Sequence, residues 1–255
     1  FRMSITRKIS EFAAETPVQD LPAASLRMMQ LSMLDWAAVG IAGRDEAVAR
    51  ITREMVLDEG GAPRATLIGT ASRVPARAAA LSNGTTSHAL DYDDTHFAHI
   101  GHPSVAVIPA ALAVAEERGL DGAAFQAAAL IGVEASVRVG VWLGRNHYQT
   151  GFHQTATAGA FGAGMAAARL MGLDAQGCAM VLGLLATRAS GLKSQFGTMG
   201  KPFNAGLAAA NGVEAATLVA RGMIANPDAL ECAQGFGPTH AGEDINSALE
   251  GIGKD

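Results

Sequence analysis

The chain is 255 residues long, 49% hydrophobic and 17% charged, the profile of a globular protein with apolar residues enough for one large core or two smaller ones. A formal net charge of −5, with no run of lysine and arginine, excludes the usual electrostatic footprint of a nucleic-acid or anionic-membrane binder. Cys178 and Cys232 are the only cysteines, which excludes a cysteine-ligated iron–sulfur cluster within the chain and fits a reducing compartment.

The first twelve residues, FRMSITRKISEF, lack the apolar core of a signal peptide. No uninterrupted apolar run reaches the ~18–20 residues of a membrane-spanning helix. The expected address is the cytoplasm, although a mitochondrial matrix protein shorn of its transit peptide has the same profile. Residues 22–43 are predicted as the first long helix, apolar and closed by Gly43. Residues 46–59 follow, with Val48, Ile51, Met55 and Val56 at helical spacing. A short piece, 65–69, reads as extended, and no alternating strand pattern occurs elsewhere. Further helices are predicted over 75–89, 103–118, 121–143, 155–171, 174–187 and 203–222, most bounded by Gly, Pro or Asp. Many are apolar around most of their circumference and rich in Ala and Gly, as suits helices buried by close neighbours. The expected fold is all-α, a large bundle of about eight or more helices over residues 1–233. Residues 234–255, QGFGPTHAGEDINSALEGIGKD, are polar and Gly-rich and read as a connector.

One stretch breaks the monotony. Between residues 87 and 104 the chain reads SHALDYDDTHFAHIGHPS, which holds His88, His96, His99 and His102 together with Asp91, Asp93 and Asp94. Imidazole titrates near neutrality and adjacent carboxylates orient and tune it, so proton transfer is the chemistry expected there. A polar surface loop with an aspartate N-cap is one rival reading. A metal site is another, because His96, His99 and His102 are spaced i, i+3, i+6 with aspartates nearby. Pro103 makes a continuous helix through all three improbable, so the spacing does not put them on one face, and no metal is expected.

His102 precedes Pro103, Lys201 precedes Pro202, and His153 in GFHQTAT also stands ahead of a helical run. Proline favours the first position of a helix, and a helix N-terminus offers unpaired N–H groups and a positive dipole end to carboxylates or phosphates. Three basic side chains at three helix starts point to a small polyanionic substrate. Lys201, set among Gly200, Pro202 and Gly206, is unlike a solvated surface lysine, because a cation there is unfavourable unless an anion is also bound. Arg188 and Lys193 are softer candidates for a second carboxylate, while Tyr92 and Trp142 read as core or rim.

With the segments ALDYDDTH, GHPS, GFH and GKPFNAG in this order, the sequence resembles the MmgE/PrpD family, which includes 2-methylcitrate dehydratase, cis-aconitate decarboxylase and iminodisuccinate epimerase. The resemblance runs from about residue 10 to residue 240. It implies a large all-α domain with a smaller α+β lid domain, no metal or organic cofactor, and a homodimer. By motif position it implies that Asp91 and Thr95 help line the site and that His102, His153 and Lys201 are its main acid/base and carboxylate-binding groups. Family chains continue for well over a hundred further residues, and their lid adds a lysine and a tyrosine to the site. This chain stops at Asp255, about where the lid is expected to begin, so a fragment or a separately encoded remainder is expected, with weak or absent turnover alone.

The reactions of this family exchange a proton or a carboxylate at a carbon next to a carboxylate. The function expected from the resemblance is a cofactor-independent hydro-lyase acting on a small di- or tricarboxylate, of the 2-methylcitrate dehydratase type. Epimerisation of an imino- or amino-dicarboxylate comes second and decarboxylation third. A lidless helical domain serving as an oligomerisation or binding module is the non-enzymatic alternative. Within the site, His102 or His153 is expected as base or acid, Lys201 as the holder of a substrate carboxylate, and Asp91 as the group that orients an imidazole. No nucleic-acid or membrane partner is expected.

Overall fold

Alanine and glycine set how closely the helices approach, and that closeness shapes the molecule. The computed structural model describes residues 4–254. Among them are ten α-helices and one two-stranded ribbon, so the fold is mostly helical. The helices are α1 (Ile5–Glu15), α2 (Ala23–Gly43), α3 (Ala47–Glu59), α4 (Ala76–Ser87), α5 (Ser104–Arg118), α6 (Gly122–Thr150), α7 (Gln154–Leu170), α8 (Ala175–Leu185), α9 (Gly200–Ala220) and α10 (Phe236–Thr239). The extended piece is shorter than predicted: β1 (Ala65–Thr66) pairs antiparallel with β2 (Arg73–Val74), Ala65 opposite Val74, and a turn through Gly69 at φ 75° ends it.

Helix α7 is the axis of the bundle. Every one of its residues except Arg169 is buried. Its neighbours α5, α6, α8 and α9 surround it. Where α6 crosses α7, a Cβ on Gly132 would lie 2.7 Å from the carbonyl oxygen of Gly162. Where α4 crosses α9, a Cβ on Gly84 would lie 2.8 Å from the Cα of Gly206. Side chains larger than hydrogen would push these backbones apart, so the glycines fix the crossings. As a result the C-terminus of α4 and the N-termini of α5, α7 and α9 meet at one end of the bundle.

Helix α1 was not among the predicted elements. Its signal was nevertheless present: Ser4 caps it by accepting from the Arg7 N–H at 3.1 Å, and Ile5, Ile9, Phe12 and Ala13 form its buried face. Arg169, in the last turn of α7, donates to the carbonyls of Ala13, Ala14 and Thr16 and so satisfies the end of α1.

The helix predicted to end at residue 143 continues within α6 to Thr150 past a break at Gly144, whose φ is 73°. Glu243 donates its N–H to Leu143 and Ile245 to Trp142, while the Trp142 indole donates to Asp244 at 2.7 Å. Residues 236–249 therefore lie across the break, with Phe236, Ala248 and Leu249 buried. By length and composition α6 could cross a membrane, but 67% of its most apolar window is buried inside the molecule, as in a core helix. Met28, Leu31, Leu34 and Ile41 form an exposed apolar row on α2.

Candidate functional site

The loop between α4 and α5 carries most of the site, and its own polar groups tie it down. Asp94 accepts from the Ser104 N–H at 3.2 Å and from the Ser104 hydroxyl, which anchors the loop to the first turn of α5. Burial raises the Asp94 pKa, and the Ser104 hydrogen bonds only partly offset it. His99 points inward to Ser136 on α6, with Nε2 to Oγ at 2.8 Å. Burial presses its pKa down to about 3, so the ring is neutral and structural. His96 and His102 both line the cleft, and His102 has its Nδ1 against Asp93. The i, i+3, i+6 histidines thus do not converge on a common point.

His88, the C-terminal cap of α4, and His102, just ahead of α5, share one carboxylate. His88 Nδ1 lies 2.9 Å from Asp93 Oδ1, and His102 Nδ1 lies 3.0 Å from Asp93 Oδ2. An ionised carboxylate only accepts, so both rings place a proton on Nδ1. Burial works against the Asp93 charge, but hydrogen bonds from His102 and His88 more than offset it and hold the pKa well below the usual carboxylate range. Burial likewise opposes the His102 cation, yet the hydrogen bond and charge of Asp93, with Asp91 adding, raise the His102 pKa above its ordinary value.

Asp91 sits in the left-handed region at φ 59°. Its carboxylate pairs with the Lys201 ammonium and lies 3.6 Å from His102 Nε2. Burial alone would raise the Asp91 pKa, but Lys201 pulls it down through the hydrogen bond and its charge. The carboxylate on His102 Nδ1 is therefore Asp93, whereas Asp91 stands at the opposite edge of the ring. Helix α9 begins at Gly200, ahead of the predicted 203, which puts Lys201 inside the first turn. Pro202 costs nothing there, since its missing N–H is among those a helix start leaves unpaired anyway.

His153 is the N-cap of α7 and stacks on His88 at 6.0 Å between centroids, with Phe196 edge-on at 5.0 Å. Asn204 Nδ2 lies 3.4 Å from its Nδ1, so the amide donates to that nitrogen and the ring proton sits on Nε2. Burial, then the nearby charges of His88, Lys201 and His102, press its pKa down to about 3. His153 is thus a neutral hydrogen-bond donor.

His102, His153 and Lys201 line one cleft of about 420 Å³, together with Thr95, Thr155 and Phe196. Thr155 accepts from the His102 N–H at 3.1 Å and steadies that backbone. Arg188 and Lys193 are engaged elsewhere: Arg188 pairs with Glu214 at 2.8 Å, and the Lys193 ammonium lies 3.7 Å over the Tyr148 ring. Arg145, which sequence reading passed over, lines the cleft without an ion-pair partner among the described residues. It directly follows the Gly144 break, the one local signal that could have found it. His147 and His240 lie outside the cleft, stacked with Phe152 and Phe236.

Donor atoms of His88, Asp91, Asp93 and His102 lie within 4.8 Å of one another, a spacing that a cation could span. These donors are already spent on each other. A divalent ion would have to displace two ring protons and the Lys201 ion pair, so the set does not fit a resident metal.

The model of the MmgE/PrpD N-terminal domain matches residues 7–247. Cis-aconitate decarboxylase from Homo sapiens is 32% identical over 66% of this chain and 36% of its own length. The enzyme of that name from Aspergillus terreus is 30% identical over 92% of this chain and 49% of its own length, and the one from Mus musculus 27% over 93% and 50%. The chain spans about half the length, or less, of these curated relatives.

Proposed function

The chain belongs to the MmgE/PrpD family, and we propose that it supplies the anion-binding, proton-donating half of a lyase that decarboxylates a small unsaturated tricarboxylate of the cis-aconitate kind. One observation carries this reading: His102, His153 and Lys201 present protons to the cleft rather than lone pairs. His102 holds a proton above its ordinary range, His153 offers Nε2–H, and Lys201 offers an ammonium. Decarboxylation needs such a set. As carbon dioxide leaves, its bonding pair enters the unsaturated skeleton and the neighbouring carboxylate takes up charge. Lys201 and His153 stabilise that charge. His102 Nε2–H then protonates carbon, and the ring regains its proton from water, so one proton is consumed for each carbon dioxide released. The names of the relatives support the same choice.

Dehydration of a hydroxy tricarboxylate is the second reading, supported by the Asp93–His102 pair, which in its neutral form is built like the orienting carboxylate and base of a hydrolase. A homodimer stays part of the proposal, as does a second domain over the cleft, since Phe97 stands 93% exposed at the rim. The full gene product, incubated in deuterium oxide with cis-aconitate, 2-methylcitrate and an amino-dicarboxylate and followed by NMR, separates the readings. Loss of carbon dioxide with one deuteron gained at carbon is expected. Water loss from 2-methylcitrate alone would favour dehydration, and exchange at carbon without either would favour epimerisation.

A further inference from the structure

We propose that His88 and Asp93 are positioning residues: Asp93, clamped by His88, holds the Nδ1 proton of His102 and favours its imidazolium form, whose second proton, on Nε2, is available to the cleft. The proposal rests on the reading of His102 as proton donor and extends it to two residues whose side chains are buried behind it. The geometry carries it. Both side chains are fully buried. His88 Nδ1 lies 2.9 and 3.0 Å from the two Asp93 oxygens, and His102 Nδ1 lies 3.0 Å from Asp93 Oδ2 and 3.3 Å from the Asp93 backbone carbonyl. A carboxylate gripped on both oxygens cannot rotate away, and a charged acceptor on Nδ1 leaves Nε2 as the exposed nitrogen of His102. His88 has no other use for its polarity, since its Nε2 is buried without a partner. Its ring lies 4.9 Å from the His102 centroid and 6.0 Å from that of His153, so it also sets the spacing of the two cleft imidazoles.

The groups that face His102 from the packed elements are Asp91 and Asp93 from its own loop, His88 from α4, His153 from α7 and Lys201 from α9. Lys201 repels the His102 cation and Asp91 favours it, but Asp91 is itself paired with Lys201 and half exposed, which leaves Asp93 as the deciding charge. Asn in place of Asp93 keeps the shape and removes that charge, and its amide group would face one ring with a donor instead of an acceptor.

The test uses the full gene product and two readouts. Nitrogen NMR of the histidines in the unmodified protein should show Nδ1–H on both His88 and His102, an outcome independent of which reaction is catalysed. Asp93→Asn should lower kcat by about 10²–10⁴-fold with little change in KM, and should bring the alkaline limb of the pH profile down. In a His102→Gln background the same change should add little, because the two residues act as one unit. His88→Gln, which keeps a donor toward Asp93, should cost less than Asp93→Asn. A bare Nδ1 on His102 overturns the proposal even if Asp93→Asn fails to fold. An unmoved pH limb, or an equal loss in the His102→Gln background, overturns it as well.

Discussion

Lys201→Ala should reduce kcat/KM of the full gene product by about 10²–10³-fold, the loss typical of removing one electrostatic stabiliser. The ammonium sits in the first turn of α9, where the helix N-terminus also favours negative charge, so a substrate carboxylate meets two favourable fields at once. In the free protein its partner is Asp91, whose side chain is 53% exposed. An ion pair so open to water contributes little to folding, and a cation at a helix N-terminus opposes the dipole. The melting temperature should therefore hardly change while activity collapses. Lys201→Arg should recover part of the activity, because charge is kept while reach and fork differ. A loss below tenfold for the alanine variant, measured at saturating and subsaturating substrate, would remove Lys201 from the transition state.

Stability should fall steeply as pH drops from 7 to 5. His99, His147 and His153 are buried and held neutral, with pKa values pressed down to about 3, 4 and 3. The sign follows from their lowered values. Above about pH 6.5 both folded and unfolded chains leave these rings neutral; below it the unfolded chain binds protons that the folded chain refuses. Three such rings give a slope of about 4 kcal/mol per pH unit until the folded values are reached, against a total stability of roughly 5–15 kcal/mol. His102 behaves oppositely: its raised pKa stabilises below the unfolded value and that contribution is lost as pH rises through the folded one. Below pH 6.5 it is already complete and adds no slope. Urea midpoints at pH 7, 6 and 5 check this, with unfolding in buffer alone expected between pH 5 and 4. Equal midpoints at pH 7 and 5 would show that these rings accept protons in place.

Much of this was legible in the chain. The apolar, small-residue runs gave the helices to within a few residues, apart from the far end of α6, because an Ala/Gly-rich segment without alternation has few ways to be buried other than as a close-packed helix. What escaped notice were features that depend on partners. The helix α1 shows a capping serine and a clean buried face, yet the charged residues interspersed along it hid it. Asp91 and Asp93 lie two apart in an irregular loop, so no periodicity says which one meets an imidazole. The left-handed backbone at Asp91 decides it by turning that carboxylate toward α9 and leaving Asp93 to His88 and His102. His99 looked like a member of the cluster until its ring was seen bonded to Ser136, thirty-seven residues away.

His102, His153 and Lys201 are proposed to form one tricarboxylate site with two differently protonated imidazoles. Histidine-selective NMR of the gene product, titrated between pH 5 and 9 with and without tricarballylate as an unreactive tricarboxylate, tests it most directly. The free protein should show His102 protonated above its ordinary range and His153 neutral throughout. Tricarballylate should move the signals of both rings and raise both pKa values, because a bound anion favours the cations, while buried His99 and His147 stay where they were. Signals of His102 and His153 that ignore tricarballylate, or that titrate together near 6.5, the value of unperturbed imidazole, would contradict it.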